Sequence, residues 1–162
     1  MYISINGEYP LTHGSIEIER LILTTPFEPY LPRTKAYISG PISNGDKCTP
    51  EEVVDNVELA MDAAMLLMRA GLSPICPQLS HFWNIHMINK GQEFLSDDFL
   101  LLDLSILTHC DILLRLPGDS RGADVEVEYA VATLEIPVSF SADEVIDFDR
   151  ARRSSSDRER EY

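Results

Sequence analysis

The chain has 162 residues, of which 44% are hydrophobic, and this suits one domain with a single core. Its formal net charge of −14 at pH 7 would repel a long polyanion, which argues against a nucleic-acid polymer as partner but not against a small phosphorylated ligand. No apolar run is long enough to span a membrane, and the first residues lack signal-peptide character, so we expect a cytoplasmic protein with no membrane partner.

The spacing of cysteine and histidine gives no sign of a metal site. Cys48, Cys76 and Cys110 lie far apart and form no CxxC pair, which argues against a zinc site and a disulfide framework. His81 and His86 are close in sequence, but no third ligand has suitable spacing beside them. We therefore expect no metal, no cofactor and a reducing compartment.

The chain divides into three parts by pattern. Residues 1–33 form an N-terminal extension, in which apolar residues alternate with charged ones over 16–23 and predict a strand that can pair with residues 2–5 as a hairpin. Residues 34–141 carry the regular patterns of a folded α/β domain. Residues 142–162 are predicted to be a charged tail, whose end is a frayed helix or disordered.

Short apolar segments alternate with helical patterns through the domain. The first helix has a clear start, because Thr49, Pro50 and Glu52 make a capping box with proline at the first helical position. Gly71 marks its end. We predict strands over 35–39, 72–76, 111–116 and 137–140, helices over 50–70, 92–109 and 120–134, and a long loop over 77–91. This order predicts a Rossmann-like (flavodoxin-like) three-layer α/β sandwich with a mostly parallel sheet of roughly four to five strands.

Three loops are expected to gather at one edge of this sheet. The loops over 40–48, 77–91 and 117–122 each follow a strand, and parallel sheets bind ligands at the carboxyl ends of their strands. The middle loop carries Phe82 and Trp83, whose rings either stack on a base or cover the core. We expect the chemistry of this chain at that edge.

Two carboxylates lie on helix faces that are otherwise apolar. Glu126 stands at the edge of the apolar stripe of the last predicted helix, and Asp103 lies within the stripe of the helix before it. A buried carboxylate costs several kcal/mol unless it is paired, hydrogen-bonded or protonated. Glycosidic chemistry uses two such groups, one as nucleophile and one that handles a proton. A structural role, with either acid at a helix edge or bound to a backbone amide, is the alternative.

A polar turn begins the helix that carries Glu126. Ser120 is a good N-cap, and Gly122 leaves the backbone accessible. Free N–H groups at Gly122 and Ala123 can hold a phosphate or a sugar 5′ oxygen, and Arg121 can add positive charge. An ordinary helix cap is the simpler interpretation of the same residues.

Three segments resemble motifs of the nucleoside 2-deoxyribosyltransferase superfamily. They are Tyr37-Ile-Ser-Gly-Pro-Ile42, Asp103-Leu104 followed by Cys110-Asp111, and Ser120-x-Gly-Ala-x-x-Glu126, and the resemblance covers about residues 35–140. The superfamily includes nucleoside deoxyribosyltransferases, 2′-deoxynucleoside 5′-phosphate N-hydrolases and ribonucleotide N-glycosidases. The resemblance implies cleavage of an N-glycosidic bond and a homo-oligomer, a dimer or larger.

The resemblance also implies roles for individual residues. Glu126 would attack the anomeric carbon and form a glycosyl-enzyme intermediate, and Asp103 would contact the base and help protonate it. Tyr37 would hydrogen-bond Glu126 and hold it in place. Gly40 and Ile42 would shape the loop near the sugar.

Ser120 bears on the choice of substrate within this family. Members that act on free nucleosides tend to have an aspartate at this point, whereas the monophosphate-cleaving branch tends to have a serine, which accepts a phosphate without repulsion. The resemblance thus favours a nucleoside 5′-monophosphate N-hydrolase, in which Lys47 or Arg121 replaces a loop arginine that this chain lacks. A deoxyribosyltransferase, an NAD glycohydrolase and a non-catalytic nucleotide-binding or sensing module remain open.

Overall fold

The structure, a computed structural model, describes residues 33–43, 48–92 and 96–160. The expected N-terminal hairpin, Lys47 and the start of the helix predicted over 92–109 lie outside these residues. Arg33–Tyr162 form one compact unit, which contains every element described below.

Four strands, among the residues described, form a single sheet in the order β2-β1-β3-β4. The strands are β1 (Lys35–Ser39), β2 (Ser73–Ile75), β3 (Ile112–Arg115) and β4 (Val138–Ser139). Every pairing is parallel, and in the central pair Tyr37 lies opposite Leu113 and Ser39 lies opposite Arg115. The prediction of a Rossmann-like α/β fold with a parallel sheet is confirmed.

Helices cover both faces of this sheet. Within the described ranges they are α1 (Pro50–Arg69), α2 (Ser80–Asn89), α3 (Ser96–Leu107), α4 (Arg121–Tyr129) and α5 (Ala142–Arg160), with a 3-10 turn at Pro77–Leu79 and a π-helical turn at Ala130–Leu134. None of these helices combines the length and the apolar composition that crossing a membrane requires.

Alternation along the central strands separates two cores. Ala36 and Ile38 of β1 pack with α1 and α5 on one face. Tyr37 points the opposite way and packs with Leu107 of α3 and Ala130, which directly follows α4. Because side chains alternate between the faces of a strand, odd-numbered residues of β1 are directed to the α3 and α4 side. That side carries the candidate site.

Helix α1 has the ends that its sequence predicts. The Thr49 hydroxyl accepts a hydrogen bond from the Glu52 backbone N–H at 3.2 Å, and the Glu52 carboxylate accepts one from the Thr49 N–H at 2.7 Å. Pro50 occupies the first turn. Gly71, just beyond the helix, has φ of +93°, a conformation that glycine adopts without strain.

The prediction of a loop over 77–91 is wrong, because most of this segment is helical. A 3-10 turn leads into α2, which contributes no buried residue to the core. Leu79 stands at the N-cap and makes no side-chain capping bond, so the usual start signal is missing. The apolar residues of this helix are spread around its circumference and do not form one stripe, so the sequence shows no helical period here.

The segment predicted to be a charged tail, with a frayed helix or disorder at its end, forms helix α5. Val145 is fully buried against the sheet. Further along, Arg152 forms an ion pair with Asp111 at 2.6 Å, and Arg153 donates to the Gly71 carbonyl at 2.9 Å. Charged residues that suggest a solvated tail thus bind groups at the amino-terminal edge of the sheet.

Candidate active site

The carboxylate of Glu126 is held by two hydroxyl groups. Glu126 lies on α4 and is 6% exposed. The Tyr37 hydroxyl donates a hydrogen bond to its Oε1 at 2.8 Å, and the Ser39 hydroxyl donates to its Oε2 at 2.6 Å. The expected hydrogen bond between Tyr37 and Glu126 is therefore present, and the orientation of the carboxylate is fixed through both oxygens.

Strand β1 supplies both donors because of its alternation. Tyr37 and Ser39 are two residues apart, so their side chains share the face that looks toward α4. Ser39 is also the last residue of β1, at the carboxyl edge of the sheet. Sequence reasoning did not single out Ser39, although this two-residue spacing from Tyr37 was the available signal.

Opposing effects act on the ionisation of Glu126. Burial, the largest of them, raises the pKa of its carboxyl group. The hydrogen bonds from Ser39 and Tyr37 lower the pKa, and so does the positive charge of Arg115. The pKa of Glu126 is raised overall, and the two hydroxyls and the guanidinium group limit this rise in favour of the ionised form, which is the form that can act as a nucleophile.

Asp103 is the second buried carboxyl group near Glu126. It lies on α3 and is 9% exposed, and no described residue hydrogen-bonds its side chain. Burial, and after it the negative charge of Glu126, raise the pKa of Asp103 to about 7. A carboxyl group with this pKa exchanges a proton near neutral pH, as a general acid and base must.

Tyr37 remains a proton donor in this arrangement. Burial, and after it the charges of Glu126 and Asp103, raise the pKa of the Tyr37 hydroxyl above its usual range. The structure therefore brings together the three residues Tyr37, Asp103 and Glu126, which are far apart in sequence. Their environments differ, because Glu126 receives hydrogen bonds from Tyr37 and Ser39, whereas Asp103 receives none from the described residues.

Arg115 is a member of this site that sequence reasoning missed. It is the last residue of β3, and its side chain is 10% exposed. It donates to the carbonyls of Leu116 and Gly118, the latter at 2.9 Å, and to the Asp124 carboxylate at 3.1 Å. A single charged residue within an otherwise apolar buried strand was the signal that could have revealed it.

The turn before α4 is capped as predicted. The Ser120 hydroxyl accepts a hydrogen bond from the Ala123 N–H at 3.2 Å, so the expectation of a free N–H at Ala123 is wrong, because the cap itself uses that group. A side chain at Gly122 would meet only this hydroxyl, at 3.9 Å, so the backbone there is open. An open cleft of about 370 Å³ adjoins the turn, and it is lined by Arg115, Gly118, Asp119, Ser120, Arg121, Asp124, Val125 and Glu128.

Gly40 and Ile42 lie in the segment that leaves β1. A Cβ atom at Gly40 would stand 3.0 Å from the Cβ of Leu116, so a larger residue would push the two strand ends apart. The buried Gln78 side chain donates to the Gly40 carbonyl at 3.4 Å, and Asn56 donates to the Ile42 carbonyl at 3.0 Å. These contacts hold the segment, but none joins either residue to Glu126.

Trp83 lines a different cleft from the one that adjoins the turn before α4. It stands on α2, is 61% exposed and lines an apolar cleft of about 410 Å³. The other lining residues are His86, Met87, Asp98, Phe99 and Leu102. Neither Glu126 and its hydrogen-bond partners Tyr37 and Ser39 nor Asp103 line this cleft, so the cleft of Trp83 is not formed around the two carboxyl groups.

The two histidines set aside as metal ligands both lie on α2. His81 packs beside the ring of Phe82, with 6.1 Å between ring centroids, and His86 lines the apolar cleft. Within residues 33–43, 48–92 and 96–160, no group of three or more His, Cys, Asp or Glu side chains is arranged to hold a metal ion.

No model of a known protein family matches this chain, and no curated protein matches it in a sequence search. The superfamily resemblance therefore rests on the three quoted segments alone. The structure adds an observation that does not depend on any relative: Tyr37, Asp103 and Glu126, one from each segment, meet at one place.

Proposed function

We propose that this chain cleaves the N-glycosidic bond of a nucleoside 5′-monophosphate, with Glu126 as nucleophile. The observation that supports this most is a buried carboxylate, held through both oxygens by Tyr37 and Ser39, beside a second buried carboxyl group whose pKa is about 7. Two carboxyl groups in contrasting environments suit a nucleophile and an acid–base partner.

In the first step, Glu126 attacks C1′ of the sugar and the bond from C1′ to the base nitrogen breaks. The electron pair of that bond leaves with the base, and protonated Asp103 donates its proton to the departing nitrogen. Each carboxylate oxygen of Glu126 accepts one hydroxyl hydrogen bond, so a lone pair on either oxygen remains available for attack.

In the second step, water attacks C1′ and displaces Glu126. The Asp103 carboxylate takes a proton from this water, which restores its acid form and releases the sugar phosphate. Because one group gives a proton and then takes one, its pKa needs to lie near the working pH, and the value of about 7 meets that need.

Whether the substrate carries a 5′-phosphate depends on the cleft before α4. Open backbone at Gly122, the helix N-terminus and the exposed Arg121 favour a phosphate. Asp119 and Glu128 line the same cleft and oppose one. This acidic lining favours a free nucleoside as the second candidate substrate, with a deoxyribosyltransferase as the second candidate activity.

The test is base release, measured by chromatography, from nucleoside 5′-monophosphates, free nucleosides and NAD, each with and without an added acceptor base. Glu126→Gln should abolish release, because an amide is a poor nucleophile, while Glu58→Gln on the exposed side of α1 should leave release unchanged. Release that requires an acceptor base would mark a transferase. No release from any compound would overturn the enzyme proposal in favour of a binding or sensing module.

A further inference from the structure

Arg115 is a buried cation in a strand that otherwise carries apolar side chains. The rest of β3, from Ile112 to Leu114, is apolar and buried. Removing a guanidinium group from water costs several kcal/mol unless its N–H groups are bonded and its charge is balanced. The position therefore calls for a specific set of partners.

Those partners join the end of the sheet to the start of α4. One terminal nitrogen of Arg115 donates to the Leu116 carbonyl. The other donates to the Gly118 carbonyl at 2.9 Å and to the Asp124 carboxylate at 3.1 Å. Asp124 belongs to the first turn of α4, so one planar group fixes the turn that aims this helix.

The strand register sets Arg115 beside the residues that hold Glu126. Arg115 is directly opposite Ser39 in the pairing of β1 with β3. Ser39 donates to Glu126, which stands on the helix that Arg115 anchors. The positive charge of Arg115 also lowers the pKa of the Glu126 carboxyl group.

We propose that Arg115 is the positioning residue for Glu126: it ties the turn at 116–118 to the start of α4 and sets a positive charge beside the carboxylate. This inference rests on the proposed function, since positioning matters to a reaction only if Glu126 is the nucleophile. Sequence motifs for the site do not include this residue.

The positive charge matters because two buried acids interact here, the charge of Glu126 raising the pKa of Asp103. Among the described residues, Tyr37 from β1 and Arg115 from β3 are the ionisable groups that act on Glu126, and Glu126 in turn acts on Asp103 from α3; Arg115 is the one cation in this set. Without it, burial and the neighbouring acid would leave Glu126 competing with Asp103 for a proton. Arg115 thus favours the ionised form of Glu126, whereas it is not among the causes that act on Asp103.

The test measures the ionisation of Glu126 directly, without substrate. The side-chain carboxyl carbons of glutamate are labelled with ¹³C and titrated by NMR, and the Glu126 signal is identified by its loss in Glu126→Gln. Arg115→Met should raise the pKa of Glu126 by about one unit. Arg69→Met, which removes one exposed positive charge from α1, should leave the pKa of Glu126 unchanged.

A second variant separates the charge from the anchoring contacts. Arg115→Lys keeps the positive charge, so the pKa of Glu126 should stay near that of the wild type. Because lysine cannot reach the same set of acceptors, amide hydrogen exchange over 118–124 should become at least about threefold faster. Should Arg115→Met fail to fold, Arg115→Gln, which keeps a donor for the turn carbonyls, enters the same titration.

The outcomes distinguish this inference from the proposed function. If the wild type releases base, the acid limb of the pH–rate profile should lie at a higher pH in Arg115→Met. The difference in pH should equal the change in the pKa of Glu126 measured by NMR. If the wild type releases none, the proposed function fails while the titration still decides the effect of Arg115 on Glu126. An unchanged pKa of Glu126 in the neutral variant, or unchanged exchange in Arg115→Lys, would overturn the inference.

Discussion

At the scale of single residues, the ionisation of Glu126 is influenced by three side chains that act in different ways. Tyr37 and Ser39 each stabilise the carboxylate through a hydrogen bond, and Arg115 acts through charge. Hydrogen bonds to a charged group contribute about 1.5–3 kcal/mol each, and they reduce the rise in the pKa of Glu126 that burial causes without cancelling it. Loss of any one donor should therefore shift the ionisation of Glu126 measurably.

The first prediction concerns Ser39. Ser39→Ala removes the donor to Oε2 of Glu126, so the pKa of Glu126 should rise and base release at neutral pH should fall by about tenfold. The measurement is the rate of base release as a function of pH. Ser105→Ala, at an exposed position on α3, is the matched control and should keep the wild-type rate. Equal rates for both variants would count against Ser39 as a partner of the nucleophile.

The second prediction concerns Asp103 and the pH dependence of stability. Its pKa in the folded protein is about 7, above the 3.8 of an unperturbed aspartate, so the folded state binds this proton more tightly than the unfolded state. The stabilisation is fully present below about pH 4 and is lost as the pH rises to about 7. Asp103→Asn should remove this loss and be more stable than the wild type at pH 8, by about 2 kcal/mol.

Urea unfolding at pH 5 and at pH 8 measures this effect. Asp62→Asn, at an exposed position on α1, serves as control and should keep the pH dependence of the wild type. Asp103→Asn should also lose base release, because an amide cannot exchange the proton. A wild type that is equally stable at both pH values would contradict the raised pKa of Asp103.

At the scale of elements, α1 shows how local sequence and structure agree. Its capping box satisfies backbone N–H groups that a helix start otherwise leaves unpaired. Helix α2 shows the contrary case, because it has no capping side chain and no buried residue, while Phe82, Trp83 and Ile88 stand 55%, 61% and 57% exposed. Local signals therefore predict α1 and miss α2.

The third prediction concerns this cap. Thr49→Ala removes the hydroxyl that accepts from the Glu52 N–H, and it should lower the free energy of unfolding by about 1 kcal/mol. Thr49→Ser keeps an acceptor oxygen and should lose little. Chemical denaturation gives both values, and base release should be unchanged because, among the described residues, Thr49 bonds to Glu52 and Glu126 bonds to Tyr37 and Ser39, with no shared partner. A loss as large in the serine variant would point to a role of the methyl group instead.

At the scale of the whole molecule, two helices shield the face of the sheet that lies opposite the site. Val145 of α5 packs on the core formed by Ala36, Ile38 and Leu114. The charged second half of α5 adds the ion pair between Arg152 and Asp111. The sheet that carries the site therefore depends on residues that look like a solvated tail in sequence.

The fourth prediction tests this dependence. Val145→Ala leaves a cavity in a fully buried layer and should lower the free energy of unfolding by about 2 kcal/mol. Val131→Ala changes the same side chain at a position that is 57% exposed and should cost much less. The midpoints of urea unfolding compare the two variants. Similar midpoints would indicate that α5 contributes little to the core.

Sequence by itself determined the elements whose residues repeat with a regular period or carry a local end signal. Alternating strands and helices predict the parallel sheet, and the capping residues at Thr49 and Ser120 predict two helix starts. Helical periodicity also places Glu126 and Asp103 on apolar faces, where both are found buried. These features depend on neighbours within a turn or two of the chain, so one sequence is enough to predict them.

Only the tertiary structure decided what those acids touch. The hydroxyl of Ser39 and the guanidinium group of Arg115 reach Glu126 and its helix because strand register and helix packing bring distant parts of the chain together. The pKa of Asp103 likewise follows from burial and from Glu126, and neither is a property of its own segment. The same holds for α5, whose charges become structural only beside Asp111 and Gly71. Contacts of this kind are set by the summed packing of all elements, which no local pattern contains.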